Sequence, residues 1–277
     1  MYVLGWRATG TEKDGRVIRY VVMDMDGVLY RGKQPVAGAC ETIQALQQHG
    51  VQVAFLTNNA SMHRAELVQK LSDLGVPCTM EQMWGSAYTT ARYLAHEAPE
   101  ARVLLVGTAG MAREMEEAGL RVVTTHHEAT HVVAGLDRDL TYAKLTQAHY
   151  AICNGAAFIA TNLDAMYPDS STTTAPGGGA IVSVLRTSTS VEPLVIGKPQ
   201  VTGMALIAES WGVGPDAMAA VGDRLDTDIA AAKAFGCRAA LVLTGVTTRA
   251  EAQQATGVQK PDTILGDLTE LIPFLQQ

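Results

Sequence analysis

One recurring unit restricts the fold of this sequence more than any other feature. A short apolar, β-branched run stops abruptly at a polar residue and is followed by a stretch with helical apolar spacing. Val17-Ile18-Arg19-Tyr20-Val21-Val22-Met23 stops at Asp24, and Val51-Gln52-Val53-Ala54-Phe55-Leu56 stops at Thr57-Asn58-Asn59. Between them, residues 38–49 carry Ile43 and Leu46 at helical spacing, and Gly50 closes the stretch. Ser61 is placed to cap the next helix, which runs to Leu74-Gly75. The unit returns late in the chain. Leu194-Val195-Ile196 leads into Gly197-Lys198-Pro199 and a helix through Trp211; residues 217–221 lead into Gly222-Asp223 and a helix over 229–235; residues 238–243 end at Thr244-Gly245. Strands and helices in this alternation predict a parallel, doubly wound α/β sheet. Ligands of such sheets bind beyond the carboxyl ends of the strands. Four predicted strand ends carry Asp24/Asp26, Thr57/Asn58, Lys198 and Asp223.

The middle of the chain, residues 85–187, reads as a unit of its own. Strand-like runs lie at 103–106, 122–125, 131–134 and 157–160, with helical stretches at 142–152 and about 180–185. The motifs on either side have to meet, so this unit is an insertion whose ends lie close together, leaving 1–84 and 188–277 as one core. A length of 277 residues accommodates a core domain and an inserted one, and 47% hydrophobic against 18% charged residues fits packed interiors rather than disorder.

Asp24-Met25-Asp26-Gly27 puts two carboxylates on a tight turn at a strand end. An Asx turn closing the strand accounts for it, and so does a carboxylate nucleophile beside a second group that moves a proton. Lys198, opposite two aspartates, would offset the charge that a phosphoryl group spreads over its oxygens, and Thr57 offers a hydroxyl to the same oxygens. Gly222-Asp223-Arg224-Leu225-Asp226-Thr227-Asp228 holds three carboxylates. They suit the favourable field of a helix N-terminus, or Mg²⁺, which takes one or two carboxylates together with phosphate oxygens. On the second reading Asp24 and Asp223 are the ligands and Asp228 acts indirectly.

Asp24-Met25-Asp26-Gly27-Val28-Leu29, Leu56-Thr57-Asn58-Asn59, Gly197-Lys198-Pro199 and Val221-Gly222-Asp223-Arg224-Leu225-Asp226-Thr227-Asp228 resemble, in order, the four motifs of the haloacid dehalogenase superfamily. The insertion, with Ala134-Gly135-Leu136-Asp137-Arg138 and Ala160-Thr161-Asn162-Leu163-Asp164, resembles the α/β cap of its NagD-like nucleotide, 4-nitrophenyl phosphate and phosphoglycolate phosphatases. The resemblance implies a Rossmann-like core with an inserted cap and a Mg²⁺-dependent phosphatase of small phosphate monoesters. Asp24 would be nucleophile and metal ligand. Asp26 would serve as acid and then base, with its carbonyl on the metal. Thr57, Asn58 and Lys198 would bind phosphate, Asp223 would complete the metal ligands, and Asp228 would support them. Cap residues Asn162, Asp164, Asp137 and Arg138 are candidates for leaving-group contacts. Dehalogenases lack the second aspartate and P-type ATPases carry threonine there, so Asp26 favours phosphate hydrolysis. A phosphomutase and a ligand-binding regulator without turnover are the alternatives on this fold. Cap-mediated homodimers are common among look-alikes.

Other patterns carry less. His127-Glu128-Ala129-Thr130-His131 matches a zinc-protease motif, but strand-like runs on both sides leave no room for the helix that motif needs, so it reads as a turn. Pro176-Gly177-Gly178-Gly179 lacks the Gly-Lys-Ser/Thr of a phosphate loop and reads as a loop before a helix. Gly107-x-x-Gly110 is a partial glycine pattern with no cofactor assigned. The net charge of −7 gives no reason to expect nucleic acid or anionic membrane as partner. No run approaches the roughly 20 apolar residues of a membrane span, residues 1–20 lack a signal-peptide core, and cysteines 40, 78, 153 and 237 show no metal spacing. These features predict a soluble, cytoplasmic protein with reduced cysteines.

Overall fold

The computed structural model describes residues 18–168 and 173–276. Val17 and residues 1–16 therefore lie outside the described residues. Six strands form one parallel sheet: β1 (Tyr20–Met23), β4 (Gln52–Thr57), β5 (Met83–Gly85), β13 (Met218–Gly222), β14 (Arg238–Val242) and β15 (Thr263–Leu265). Their order is β15-β14-β13-β1-β4-β5. Successive residues feed opposite faces, and both faces are buried. Val21, Met23, Val53, Phe55 and Val221 enter one core, and Val22, Ala54, Leu56 and Ala220 enter the other. This is why the strands read as unbroken apolar runs rather than alternating ones.

From β1 the chain winds outward through β4 and β5, and later in the opposite direction through β13, β14 and β15. The reversal falls between β1 and β13, where adjacent connections diverge and leave a crevice at the carboxyl ends. Asp24 and Asp223 are the residues that leave those two strands, and Asp24 N–H donates to the Val221 carbonyl at 2.9 Å. A small hairpin, β2 (Tyr30–Arg31) with β3 (Gln34–Pro35), follows β1, and helix α1 (Ala39–Gln48) leads from it to β4.

A second parallel sheet is inserted between β5 and β13. It comprises β6 (Arg102–Val106), β7 (Arg121–Val123), β8 (His131–Ala134), β9 (Ala157–Ala160) and β12 (Leu194–Val195), in the order β12-β9-β8-β6-β7. Helices α5 (Tyr142–Cys153) and α6 (Gly178–Thr189) pack on one face over Val132 and Phe158. Helices α3 (Ser86–Glu97) and α4 (Ala109–Glu117) cover the other over Val103, Val133 and Ile159. A two-stranded ribbon, β10 (Met166–Pro168) with β11 (Thr174–Pro176), precedes α6. The architecture is the predicted doubly wound core with an inserted α/β unit. No helix among the described residues is long and apolar enough to cross a membrane.

Three local expectations change. The run at Leu194 belongs to the inserted sheet, not the first one: β12 pairs with β9, and Gly197 N–H donates to the Thr161 carbonyl at 2.8 Å. Lys198 thus reaches the crevice from the inserted unit's edge. The helix after β4, α2 (Arg64–Asp73), is capped by His63 rather than Ser61. His63 Nδ1 accepts Ala65 N–H, while Glu66 accepts His63 N–H at 2.8 Å, a reciprocal cap. Ser61 instead donates its N–H and hydroxyl to Asn59 Oδ1. Finally, Gly178 and Gly179 lie inside α6 rather than in the loop before it, and a side chain at Gly179 would strike the Leu163 backbone.

The inserted unit is anchored to α2 through α4. Glu114, 1% exposed, accepts Arg64 N–H at 2.6 Å and Arg64 Nε–H at 3.2 Å, and His63 Nε2 lies 3.1 Å from Glu117. Gly110 permits this approach, since a Cβ there would sit 2.7 Å from His63 N.

Candidate active site

The carboxyl ends of β1, β4 and β13, together with the turn after β12, surround a cleft of about 780 Å³. Asp24, Asp26, Thr57, Asn58, Lys198, Asp223 and Asp228 all line it, so the predicted core residues are brought together. Backbone geometry makes room for them. Gly27 sits at φ +80°, and a Cβ there would lie 2.5 Å from Asp223 Oδ2. Val246 N–H holds Asp223 by donating to the same Oδ2 at 2.7 Å.

Lys198 is the centre of the charge arrangement. Its buried ammonium donates to Asp24 Oδ1 at 2.5 Å, Asp228 Oδ1 at 2.6 Å and the Leu56 carbonyl at 2.9 Å. Burial alone would lower its pKa, but Asp228 and Asp24 more than reverse that, and the lysine stays charged. Burial pushes the Asp24 carboxyl up to about 8, with Lys198 opposing and Asp228 and Asp223 adding to the rise. Burial, and then Asp228, push Asp223 up to about 6.

One oxygen from each of Asp24, Asp223 and Asp228 lies within 4.8 Å of the others. When ionised, three carboxylates against one ammonium leave two negative charges uncompensated in a largely buried place. All the donors are hard oxygens. A divalent cation of the magnesium or calcium type fits this deficit and this donor set. Asp226, the remaining acid of the motif, does not join them: it pairs with Arg224 at 2.8–3.0 Å on the surface.

The other predicted residues divide. Asp26 opens onto the cleft, yet surrounding protein raises its pKa, with Lys70 pulling the other way. Thr57 is buried, and its hydroxyl accepts Asn59 N–H at 3.2 Å. The Asn58 amide grips the Lys198 backbone, accepting its N–H at 2.8 Å and donating to its carbonyl at 3.0 Å. It also donates to Asp164 Oδ2 at 3.1 Å. Asn162 donates to the Asn58 carbonyl at 2.8 Å, so inserted unit and core meet through side-chain amides at the cleft. Arg138, Asn162 and Asp164 line the cleft, but Asp137 does not. Its buried carboxylate holds Lys144 at 2.8 Å and Asp139 N–H at 3.0 Å. Arg31, Lys70 and Val246 line the cleft without having been singled out in the sequence. Their neighbourhood is created by tertiary packing, and no local motif marks them.

Known proteins match along the chain. The haloacid dehalogenase-like hydrolase pattern covers residues 21–121 and a related HAD-hydrolase-like pattern covers residues 195–271. The 5′-nucleotidase YutF of Bacillus subtilis is 36% identical over 254 residues, 92% of this chain and 97% of that protein. The p-nitrophenyl phosphatase of Archaeoglobus fulgidus superposes with a TM-score of 0.87 at 32% identity, covering 94% of this chain and all of that one (100%). A glycerol phosphate phosphatase of Mycobacterium tuberculosis, solved with magnesium, superposes at 0.86 with 37% identity, covering 91% of this chain and 76% of that one. The same protein has been solved with calcium.

Proposed function

This chain belongs to the haloacid dehalogenase-like hydrolases and is a phosphoric monoester hydrolase, and from that premise we propose that it hydrolyses small-molecule phosphate monoesters through a phosphoryl group carried on Asp24, with Mg²⁺ as cofactor. The observation that carries this reading is the meeting of Asp24, Lys198, Asp223 and Asp228 at the reversal between β1 and β13. Residues 1–84 and 188–277 act as the catalytic core. Residues 85–187 act as the cap, to which β12 lends an edge strand.

Lys198 and the Thr57 hydroxyl hold the phosphoryl oxygens, and Asn58 keeps Lys198 in place by gripping its backbone. An Asp24 oxygen attacks phosphorus as the bond to the leaving oxygen breaks, and Asp26 gives its proton to that oxygen. In the second step the Asp26 carboxylate takes a proton from water as the water oxygen attacks phosphorus. Asp24 is released as a carboxylate, and inorganic phosphate departs. The proton ends on Asp26, as at the start. Burial raises its pKa, a shift in the direction that favours its acid form. Asp24, Asp223 and the Asp26 carbonyl would hold Mg²⁺, with Asp228 in support. Bound there, the cation supplies positive charge that favours the ionised Asp24 and the crowded phosphoryl oxygens.

The leaving group lies towards the inserted unit, where Asn162, Asp164 and Arg138 line the cleft. Sugar phosphates, nucleoside monophosphates, phosphoglycolate, glycerol phosphate and 4-nitrophenyl phosphate all present the phosphate that this chemistry reads. Hydrolysis of 4-nitrophenyl phosphate with and without Mg²⁺ tests the proposal. Release should require the cation and be abolished in Asp24→Asn. Cation-independent release, or full activity in the variant, would overturn it.

A further inference from the structure

The cleft's cations are not equivalent. Lys198 is paired with Asp24 and Asp228, Arg224 with Asp226, and Arg31 Nη2 donates to the Gly245 carbonyl at 3.1 Å. Arg138 is exposed, 5.3 Å from the Tyr167 ring centroid. Lys70 differs from all of these. It is half-buried in the cleft wall formed by α2, and its ammonium stands 3.8 Å over the centroid of the buried Tyr30 ring. No carboxylate among the described residues comes within ion-pair distance of it. Glu66, one helical turn earlier, is the natural partner, but its Oε2 is taken by the His63 N–H of the helix cap. Asp26 is the carboxylate whose charge acts on Lys70, from beyond ion-pair distance.

An ammonium carries three donors, and the face of Tyr30 engages its charge without accepting those N–H groups as an oxygen would. Lys70 shares the cleft lining with Asp26, so its remaining donors are available to a group bound there. Resting on the reading above, in which Asp26 protonates the leaving oxygen, this position is where the departing alcohol would sit. We propose that Lys70 is a specificity-determining residue that binds an anionic group on the leaving alcohol, so that the preferred substrates are phosphate monoesters of small hydroxy acids or of alcohols bearing a second phosphate. The Tyr30 ring holds the ammonium on one face, and the helix cap engages Glu66, the acid one turn earlier on the same helix. An uncharged leaving group would leave the same donors to water.

The test compares matched substrates that differ in that one charge: 2-phosphoglycolate against 2-hydroxyethyl phosphate, and 3-phosphoglycerate against glycerol 3-phosphate. The ratio of kcat/KM, acid over neutral, should exceed unity in the wild type. It should fall roughly 10- to 100-fold in Lys70→Met, the range expected for a lost hydrogen bond to a charged group. The fall should come mainly from KM, and Lys70→Arg should restore most of the ratio. Lys233→Met, which removes a surface cation paired with Asp262, should leave the ratio unchanged. Titration with glycolate and with ethylene glycol gives the same comparison without turnover: glycolate should bind the wild type more tightly, and Lys70→Met should erase the difference. A wild-type ratio at or below unity, or a ratio and glycolate affinity unmoved by Lys70→Met, would overturn the proposal. Failure to hydrolyse any phosphate ester while glycolate binding still depends on Lys70 would instead sink the hydrolytic reading and leave the anion site standing.

Discussion

Replacing Lys198 with methionine tests the charge balance of the cleft most sharply. The wild-type ammonium has an acceptor for each of its three N–H groups, at 2.5, 2.6 and 2.9 Å. Methionine keeps much of the side-chain volume and removes all three interactions. Taking one partner from a buried ion pair costs about 3–5 kcal/mol. The lower end applies here, because Asp24, its carboxyl already pushed up to about 8, takes a proton when its counter-charge is lost. About 3 kcal/mol corresponds to a fall of roughly 6–12 °C in apparent Tm for a chain of this size. Loss of a group aimed at transition-state charge lowers kcat by about 10²–10³. Differential scanning fluorimetry with and without Mg²⁺, alongside initial rates, measures both effects. The cation should raise the variant's Tm more than the wild type's, since it then supplies charge that Lys198 no longer does. A variant melting with the wild type and retaining kcat within a few-fold would refute this account of the site.

Gly27→Ala should weaken Mg²⁺ binding and cripple activity, because an added Cβ would sit 2.5 Å from Asp223 Oδ2 at a left-handed φ of +80°; a variant with wild-type Mg²⁺ affinity by calorimetry and wild-type turnover would contradict this. The affinity for Mg²⁺ should rise between about pH 6 and 8 and level off above. Asp223 and Asp24 are raised to about 6 and about 8, so below those values protons compete with the cation, and above them both carboxylates are free to bind it. Calorimetry in buffers of different ionisation enthalpy should show proton release on binding at pH 7, and a pH-independent affinity would count against it. Glu114→Ala should lower stability by about 1–3 kcal/mol, since it removes a buried acceptor of the Arg64 N–H, and an unchanged denaturation midpoint would count against that anchor.

Much of the fold was legible because a parallel strand buried on both faces has a distinctive local signature. Val21-Val22-Met23 and Val53-Ala54-Phe55-Leu56 carry it in full, and the residue after each run falls where an open α/β sheet binds ligands. Leu194-Val195 was misplaced because two paired residues cannot encode which sheet they join: that depends on β9, more than thirty residues earlier. The cap of α2 went to Ser61 because serine is the commoner capping residue, whereas His63 and Glu66 form the reciprocal pair that the fold uses. Asp24, Lys198, Asp223 and Asp228 were legible as chemistry, since motif order carries them. The grip of Asn58 on the Lys198 backbone and the position of Lys70 over Tyr30 were not, because both are tertiary contacts between segments with no shared local pattern.

The phosphoryl group on Asp24 is the central claim, and trapping it is the most direct test. Rapid acid quench during turnover of 4-nitrophenyl phosphate with Mg²⁺, followed by peptide mass spectrometry, should find one phosphoryl group on the peptide containing Asp24 and on no other. It should vanish in Asp24→Asn together with turnover. Steady hydrolysis with no phosphoryl group on Asp24, or with one on a different residue, would contradict the account.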